Sequence, residues 1–226
     1  MLVEVSELSK VYFRNREEVH VLRSANLSIK AGSFVIITGP SGCGKSTLLH
    51  LLGGIDRPTG GNIIFNGKHL EEVTEDELTR FRRDNIGFVF QFYNLLPSLD
   101  SLDNVCLPLY ARGVHRAEAR KQAKDVLERV GLDSRLHHKP SELSGGEQQR
   151  VAIARAIIGK PCLVLADEPT GDLDAESARS IMKLMQEINH QLGTTFLVAT
   201  HNAAFTDFSN CIFELSNGVL KERSCS

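Results

Sequence analysis

Gly39, Gly44, Lys45 and Ser46 stand at the spacing G-x-x-x-x-G-K-S inside the stretch GPSGCGKST. A loop of this composition, here Gly39, Pro40, Ser41, Gly42, Cys43, Gly44, Lys45, Ser46 and Thr47, turns backbone N–H groups toward one point at a helix N-terminus, where they bind phosphate oxygens. Lys45 adds a point charge and Ser46 a hydroxyl ligand for Mg²⁺, so the chemistry is that of a nucleoside triphosphate. Cys43 contributes only its backbone N–H to such a loop. The nearby Lys45 and the helix N-terminus favour its thiolate, which makes it the most reactive of the five cysteines where it is accessible. Further along, LVLADEP ends an apolar strand on Asp167, placed to hold Mg²⁺ through water. The next residue, Glu168, is then free to act as general base on the attacking water.

The third stretch is ELSGGEQQRVAIARA, Glu142 to Ala156. Ser144 with Glu147 fits a capping box, and RVAIARAI supplies an apolar helix face. Gly145 and Gly146 lower helix propensity by about 1 kcal/mol each, which is tolerated where another group comes close to bare backbone. A second helix N-terminus built to approach phosphate implies a composite site, because one chain cannot easily aim both at one phosphate.

The elements that must position these residues alternate. LVEVSEL, ANLSI and FVIIT read as strands, the last running into the glycine loop, and STLLHLLGG as a helix ending at Gly53 and Gly54. GGNIIFNGK is a strand closed by an Asn66-Gly67 turn, TEDELTRF starts a helix with Thr74 and Glu77 in a capping box, and NIGFVFQ is another strand. From Asp103 to about Pro140 strand signals vanish, and RAEARKQAKDVLERVG has helix composition ending at Gly131, which suggests an inserted helical subdomain. The alternation then returns with CLVLAD, a helix from Ala175 to Leu192 stopped by Gly193, TFLVAT, CIFELS and an Asn217-Gly218 turn. Strands alternating with helices predict a mainly parallel sheet.

Length and composition narrow the class. At 226 residues, 42% hydrophobic and 24% charged, the chain suits one compact α/β unit with a smaller inserted subdomain. A net charge of −2 lacks the basic footprint of a nucleic-acid binder. Apolar runs are too short to cross a bilayer, and MLVEVSELSK has neither a basic start nor an apolar core, so a cytoplasmic location is expected. Cys43, Cys106, Cys162, Cys211 and Cys225 form no C-x-x-C pair and read as reduced thiols rather than a zinc site or disulfide framework.

LSGGEQQRVAIARA resembles the signature sequence of ATP-binding-cassette (ABC) ATPases, and the other motifs of that family occur in order across nearly the whole chain. The resemblance implies an α/β fold with a P-loop NTPase core of mainly parallel sheet, an N-terminal antiparallel β subdomain and an inserted α-helical subdomain. All of it lies in one domain, 1–226, with about 1–90 and 160–226 as core and β subdomain and about 91–159 as the helical, signature-bearing part. It implies ATP and Mg²⁺ as ligands and a head-to-tail homodimer, each ATP lying between one protomer's glycine loop and the other's Ser144, Gly145 and Gly146. Gln91, ending GFVFQ, matches the glutamine that senses Mg²⁺ and the attacking water and faces the membrane partner. His201 in LVATHN matches the switch histidine on the γ-phosphate, Asp174 in GDLD the aspartate across the dimer interface, and Tyr12 in SKVY the aromatic that stacks on adenine. Lys45, Gln91, Glu168 and His201 are thereby the expected catalytic group, and Ser46, Gln91 and Asp167 the expected metal group.

STLLHLLGGIDRPTGGNIIFNGK, IGFVFQFYNLLPSLDSLDNVCLPL and LADEPTGDLD are similar to the lipoprotein-releasing and macrolide-export group of that family. This implies integral membrane subunits as partners and a peripheral location on the cytoplasmic face of the inner membrane. The alternative is a cassette that regulates a cell-division or cell-wall complex without transport. Translation-factor and DNA-repair cassettes fit less well, since one joins two cassettes in a chain and the other carries a long coiled-coil insertion. Two positions depart from the pattern: Asn202 follows His201 where the family usually has aspartate, and Asp172 follows Gly171 where the group usually has asparagine.

Overall fold

The computed structural model describes residues 1–14 and 17–225. In chain order the elements are β1 (Val3–Arg14), β2 (Glu17–Ile29), β3 (Phe34–Thr38), α1 (Lys45–Leu52), β4 (Gly60–Phe65), β5 (Lys68–His69), α2 (Glu75–Asn85) and β6 (Ile86–Phe90). The second half holds α3 (Ser101–Ala111), α4 (Arg116–Arg129), α5 (Gly145–Ile157), β7 (Leu163–Asp167), α6 (Ala175–Leu192), β8 (Thr195–Thr200), β9 (Cys211–Ser216) and β10 (Val219–Cys225). The end signals act as their chemistry requires: Thr74 and Glu77 form both bonds of a capping box on α2, and Gly193 closes α6 at φ 65°. α3 has no counterpart among the helices read from sequence. Asp100 starts it by accepting from the Asp103 N–H at 2.7 Å, and Pro108 lies inside it.

Among the described residues two sheets form. β2-β1-β4-β5 is antiparallel, and β1 and β2 outrun their apolar stretches because they pair from Val3↔Ile29 to Arg14↔Glu17. The second sheet, β10-β9-β3-β8-β7-β6, is parallel except for the β9–β10 pair. Its inner strands β3, β7 and β8 are apolar on both faces. In β3, Phe34 and Ile36 join one core with α3 to α6, while Val35 and Ile37 join the other with α1 and the antiparallel sheet.

The parallel register decides where chemistry can occur. Phe90 pairs with Asp167, Asp167 with Ala199, and Thr38 with Thr200. The glycine loop, Gln91, Glu168 and His201 therefore leave the sheet at one common edge, the carboxyl ends of the strands.

Register also revises the reading of five free thiols. Cys211 and Cys225 face each other across β9 and β10 with Cα atoms 4.0 Å apart and form a disulfide, while Cys43, Cys106 and Cys162 are free. The spacing rules for C-x-x-C motifs do not see a pair brought together by a hairpin. No helix among the described residues is long and apolar enough to cross a membrane.

α5 meets the sheet through Gly87 of β6. A Cβ there would stand 2.4 Å from the Ala156 carbonyl oxygen, so the close approach of helix to strand requires glycine. Gly87→Ala is expected to lower stability by about 1–3 kcal/mol, since α5 must move off β6; the urea unfolding midpoint followed by circular dichroism measures it.

Candidate nucleotide site

α1 begins at Gly44, whose φ of 109° suits a residue without Cβ and which supplies no side-chain cap. The first N–H groups of a helix have no partner within it, and here no cap competes for them, so they remain available to an anion. Lys45, 6% exposed, donates from Nζ to the carbonyls of Gly39 at 2.8 Å and Pro40 at 3.2 Å. A cleft of about 370 Å³ is lined by Val21, Ser41, Gly42, Lys45, Ser46 and Glu168, with Gly44 and Thr47 completing it. A larger cleft of about 720 Å³ adjoins it at Val21, Ser41 and Gly42 and includes Pro40 and Cys43. Cys43 is half-buried, with its sulfur turned toward Gly39.

Glu168 connects the loop to the far strand. Its Oε1 lies 3.3 Å from Lys45 Nζ, and its Oε2 accepts from the His201 backbone N–H at 3.2 Å and lies 2.9 Å from His201 Nδ1. The backbone at Glu168 has φ 45°, a left-handed conformation that is unfavourable for a residue with a side chain. Bonds from the Glu168 N–H to the Ala199 carbonyl (2.9 Å) and from the Gly171 N–H to the Glu168 carbonyl (3.0 Å) hold it. An anion thus already sits between the cation and the histidine, at the mouth of an uncapped helix. Asp167 stands one residue earlier, and its Oδ1 is buried without a hydrogen-bond partner. An orphaned carboxylate oxygen at Asp167 and an exposed Ser46 at the start of α1 are hard oxygen donors of the kind that suits a divalent cation such as Mg²⁺.

Other residues expected at the site are placed elsewhere in this chain. Gln91 donates from Nε2 to Asp172 Oδ1 at 3.2 Å and lies across Gly171, where a Cβ would be 3.0 Å from that nitrogen. It makes no hydrogen bond to Ser46, Asp167 or Glu168. Asp174 caps α6, accepting from the Glu176 and Ser177 N–H groups at 3.0 and 2.9 Å. Ser144 caps α5 through the Glu147 N–H at 3.3 Å, and Glu147 accepts in return from the Ser144 N–H at 2.8 Å. The two glycines after Ser144 differ: a Cβ on Gly145 would meet the Tyr93 hydroxyl at 2.9 Å, whereas around Gly146 nothing comes closer than Ser177 at 3.9 Å. A Cβ at Gly145 would thus crowd Tyr93, whereas one at Gly146, which is half-buried, would meet Ser177 only at ordinary van der Waals distance.

Tyr12, 39% exposed, donates from Oη to Asp56 at 2.7 Å, and the Lys10 ammonium lies 4.7 Å from its ring centre. Burial and the bond to Asp56 push the phenol's pKa up, while the Thr47 side chain acts against them. Asp56, Lys10, Tyr93 and Arg155 escaped the reading of the sequence. Lys10 left one trace, a lysine two residues before Tyr12 and so on the same strand face. Arg155, half-buried with its pKa lowered by desolvation, donates to the carbonyls of Tyr93 at 2.7 Å and Asn94 at 2.6 Å. That pairing has no sequence signal, because it joins α5 to a loop some sixty residues away.

A family model described as "ABC transporter" matches residues 22–171. The chain belongs to the ABC transporter family. An ABC ATPase fold is accordingly what the two sheets and the helices between β6 and β7 form, as expected from sequence. The chain is similar to the "Lipoprotein-releasing system ATP-binding protein LolD" of Idiomarina loihiensis, 47% identical over 97% of this chain and 96% of that one. It is likewise similar to an "Uncharacterized ABC transporter ATP-binding protein" of Thermotoga maritima, 46% identical over 97% of this chain and 94% of that one. Among solved structures it resembles a dimeric ATP-binding cassette in a post-hydrolysis state bound to ADP and Pi, with TM-score 0.91, 41% identity and 99% of each chain covered.

In this ABC chain the signature helix depends on one carboxylate. The Ser144 backbone N–H holds the Glu147 carboxyl below its ordinary range, and Arg135 at 2.9 Å adds to this against the opposing effect of burial. The folded pKa is below the unfolded one, so this stabilisation is complete above the ordinary carboxylate range and is lost as pH falls through the folded value. The gap in thermal midpoint between the wild type and Glu147→Gln is expected to be open at about pH 7 and to narrow as pH falls below the ordinary carboxylate range, measured by differential scanning fluorimetry.

Proposed function

We propose that the chain is the ATP-hydrolysing subunit of a lipoprotein-releasing type of transporter. It works with integral membrane subunits at the cytoplasmic face of the inner membrane and closes with a second copy of itself around two ATP molecules. The relatives named for lipoprotein release and the dimeric cassette holding ADP and Pi support this reading. The observation that carries it is the Glu168 carboxylate held between Lys45 and His201 above the N-terminus of α1.

From that geometry the roles follow. The N–H groups at the start of α1 and the ammonium of Lys45 bind the β- and γ-phosphates, releasing Glu168 Oε1 from its ion pair. His201 keeps Oε2 in place through its backbone N–H and Nδ1, so Oε1 is the oxygen that takes the proton from the attacking water. Ser46 and Asp167 are the residues that would hold Mg²⁺, which when bound neutralises charge on the phosphates. Gln91, once released from Asp172, would join Ser46 and Asp167 in holding the metal, and Tyr12 stacks on adenine. Ser144, Gly145 and Gly146 close on the partner's γ-phosphate, with Gly146, the less crowded of the two glycines, as the point of approach, and Asp174 lies at the interface between copies.

The core and helical subdomain divide near residues 91 and 159, with α3, α4 and α5 all falling between those limits. The membrane subunit meets the surface that follows Gln91, where Phe92 and Leu96 are exposed at 72% and 46%.

Glu168→Gln keeps the shape of the side chain and removes the base. Calorimetry should find ATP binding retained and phosphate release should fall by about 100-fold or more. Size-exclusion chromatography should show a dimer persisting in ATP. Turnover near the wild-type rate would overturn the role of Glu168.

A further inference from the structure

We propose that Asp56 and Lys10 are positioning residues that clamp the Tyr12 ring as a one-sided platform and tie it to the helix that grips phosphate. The inference rests on Tyr12 being the surface on which adenine stacks.

The Asp56 carboxylate is shared. Oδ2 accepts from the Tyr12 hydroxyl at 2.7 Å, and Oδ1 accepts from Lys10 Nζ at 2.8 Å and from the Arg57 N–H at 2.7 Å. Lys10 Nζ also donates to the Arg57 carbonyl at 2.7 Å, and the residue is only 9% exposed, so its ammonium is held by protein acceptors. Burial opposes ionisation of Asp56, but the bonds from Lys10 and Tyr12 outweigh it and hold the carboxyl below its ordinary range.

Two consequences bear on nucleotide binding. With Lys10 lying 4.7 Å from the ring centre, one face is occupied by a cation and a base has only the opposite face. A cation behind the ring draws π density toward itself, which favours an electron-rich purine in front. The second consequence concerns distance. Asp56 follows the last turn of α1, where the Ile55 and Asp56 N–H groups both donate to the His50 carbonyl at 2.8 and 3.3 Å. The same short helix therefore carries the phosphate grip at its start and anchors the base platform at its end. An exposed tyrosine that is already fixed loses less side-chain freedom when a base arrives.

A clamp for the base predicts a loss confined to ligands that have one. In calorimetric titrations of the full chain with Mg-ATP and with Mg-tripolyphosphate, Asp56→Asn and Lys10→Met are expected to raise the Kd for ATP about fivefold or more and to leave that for tripolyphosphate within about twofold. Tyr12→Phe, which keeps the ring and removes its bond to Asp56, should behave as Asp56→Asn does. Equal weakening of both ligands in the Asp56 and Lys10 variants would reduce the pair to a structural ion pair and overturn the clamp. Loss of ATP affinity in Tyr12→Ala with none in those two would overturn the clamp and leave the platform standing. Wild-type ATP affinity in Tyr12→Ala would overturn the platform, and the clamp with it.

Discussion

Lys45 places an ammonium where only 6% of the residue meets solvent, and every other part of the site answers to that charge. Two loop carbonyls and the Glu168 carboxylate compensate it, and Glu168 must adopt a left-handed backbone to reach. That conformation persists because the Glu168 N–H is bonded to the Ala199 carbonyl on the neighbouring strand, β8. The cation comes from the loop after β3, the carboxylate follows β7, and the histidine follows β8. β8 lies between the other two in the parallel sheet, so a single edge of hydrogen-bonded strands fixes all three.

Two helix starts in the chain carry glycines for opposite reasons. α1 has no side-chain cap, and its N–H groups open onto the cleft. α5 is fully capped by Ser144 and Glu147, and its first glycine packs beneath Tyr93, while the second is half-buried with only Ser177 at van der Waals distance. A capped, rigid helix that presents a bare backbone outward suits a surface that meets something from another molecule. An uncapped one suits a pocket that holds an anion of its own.

Much of this was legible from residue order. The glycine loop, the strand ending in Asp167 and Glu168, the capping boxes at Thr74 and Ser144 and the span of α6 are local: each depends on residues within a few positions of one another. α3 was not read as a helix, because its run Ser101 to Ala111 contains a proline and is apolar on several sides. The disulfide between Cys211 and Cys225, the bond from Gln91 to Asp172 and the carboxylate shared by Lys10, Tyr12 and Asp56 were equally invisible. Each joins residues from different elements, and no spacing rule reaches across a sheet register or a loop.

The sequence by itself determined which groups are present and which helix starts carry glycines or capping residues, since backbone conformation and side-chain chemistry are set over a few residues. Only the tertiary structure decided which groups touch. It put Glu168 rather than Gln91 against Lys45, turned Gln91 to Asp172, and committed Ser144 and Asp174 to capping their own helices. The physical reason is that a buried charge or polar group takes whichever partner the packed sheet brings within hydrogen-bond distance, and that distance is fixed by strand register and helix packing, which involve residues far apart in the chain.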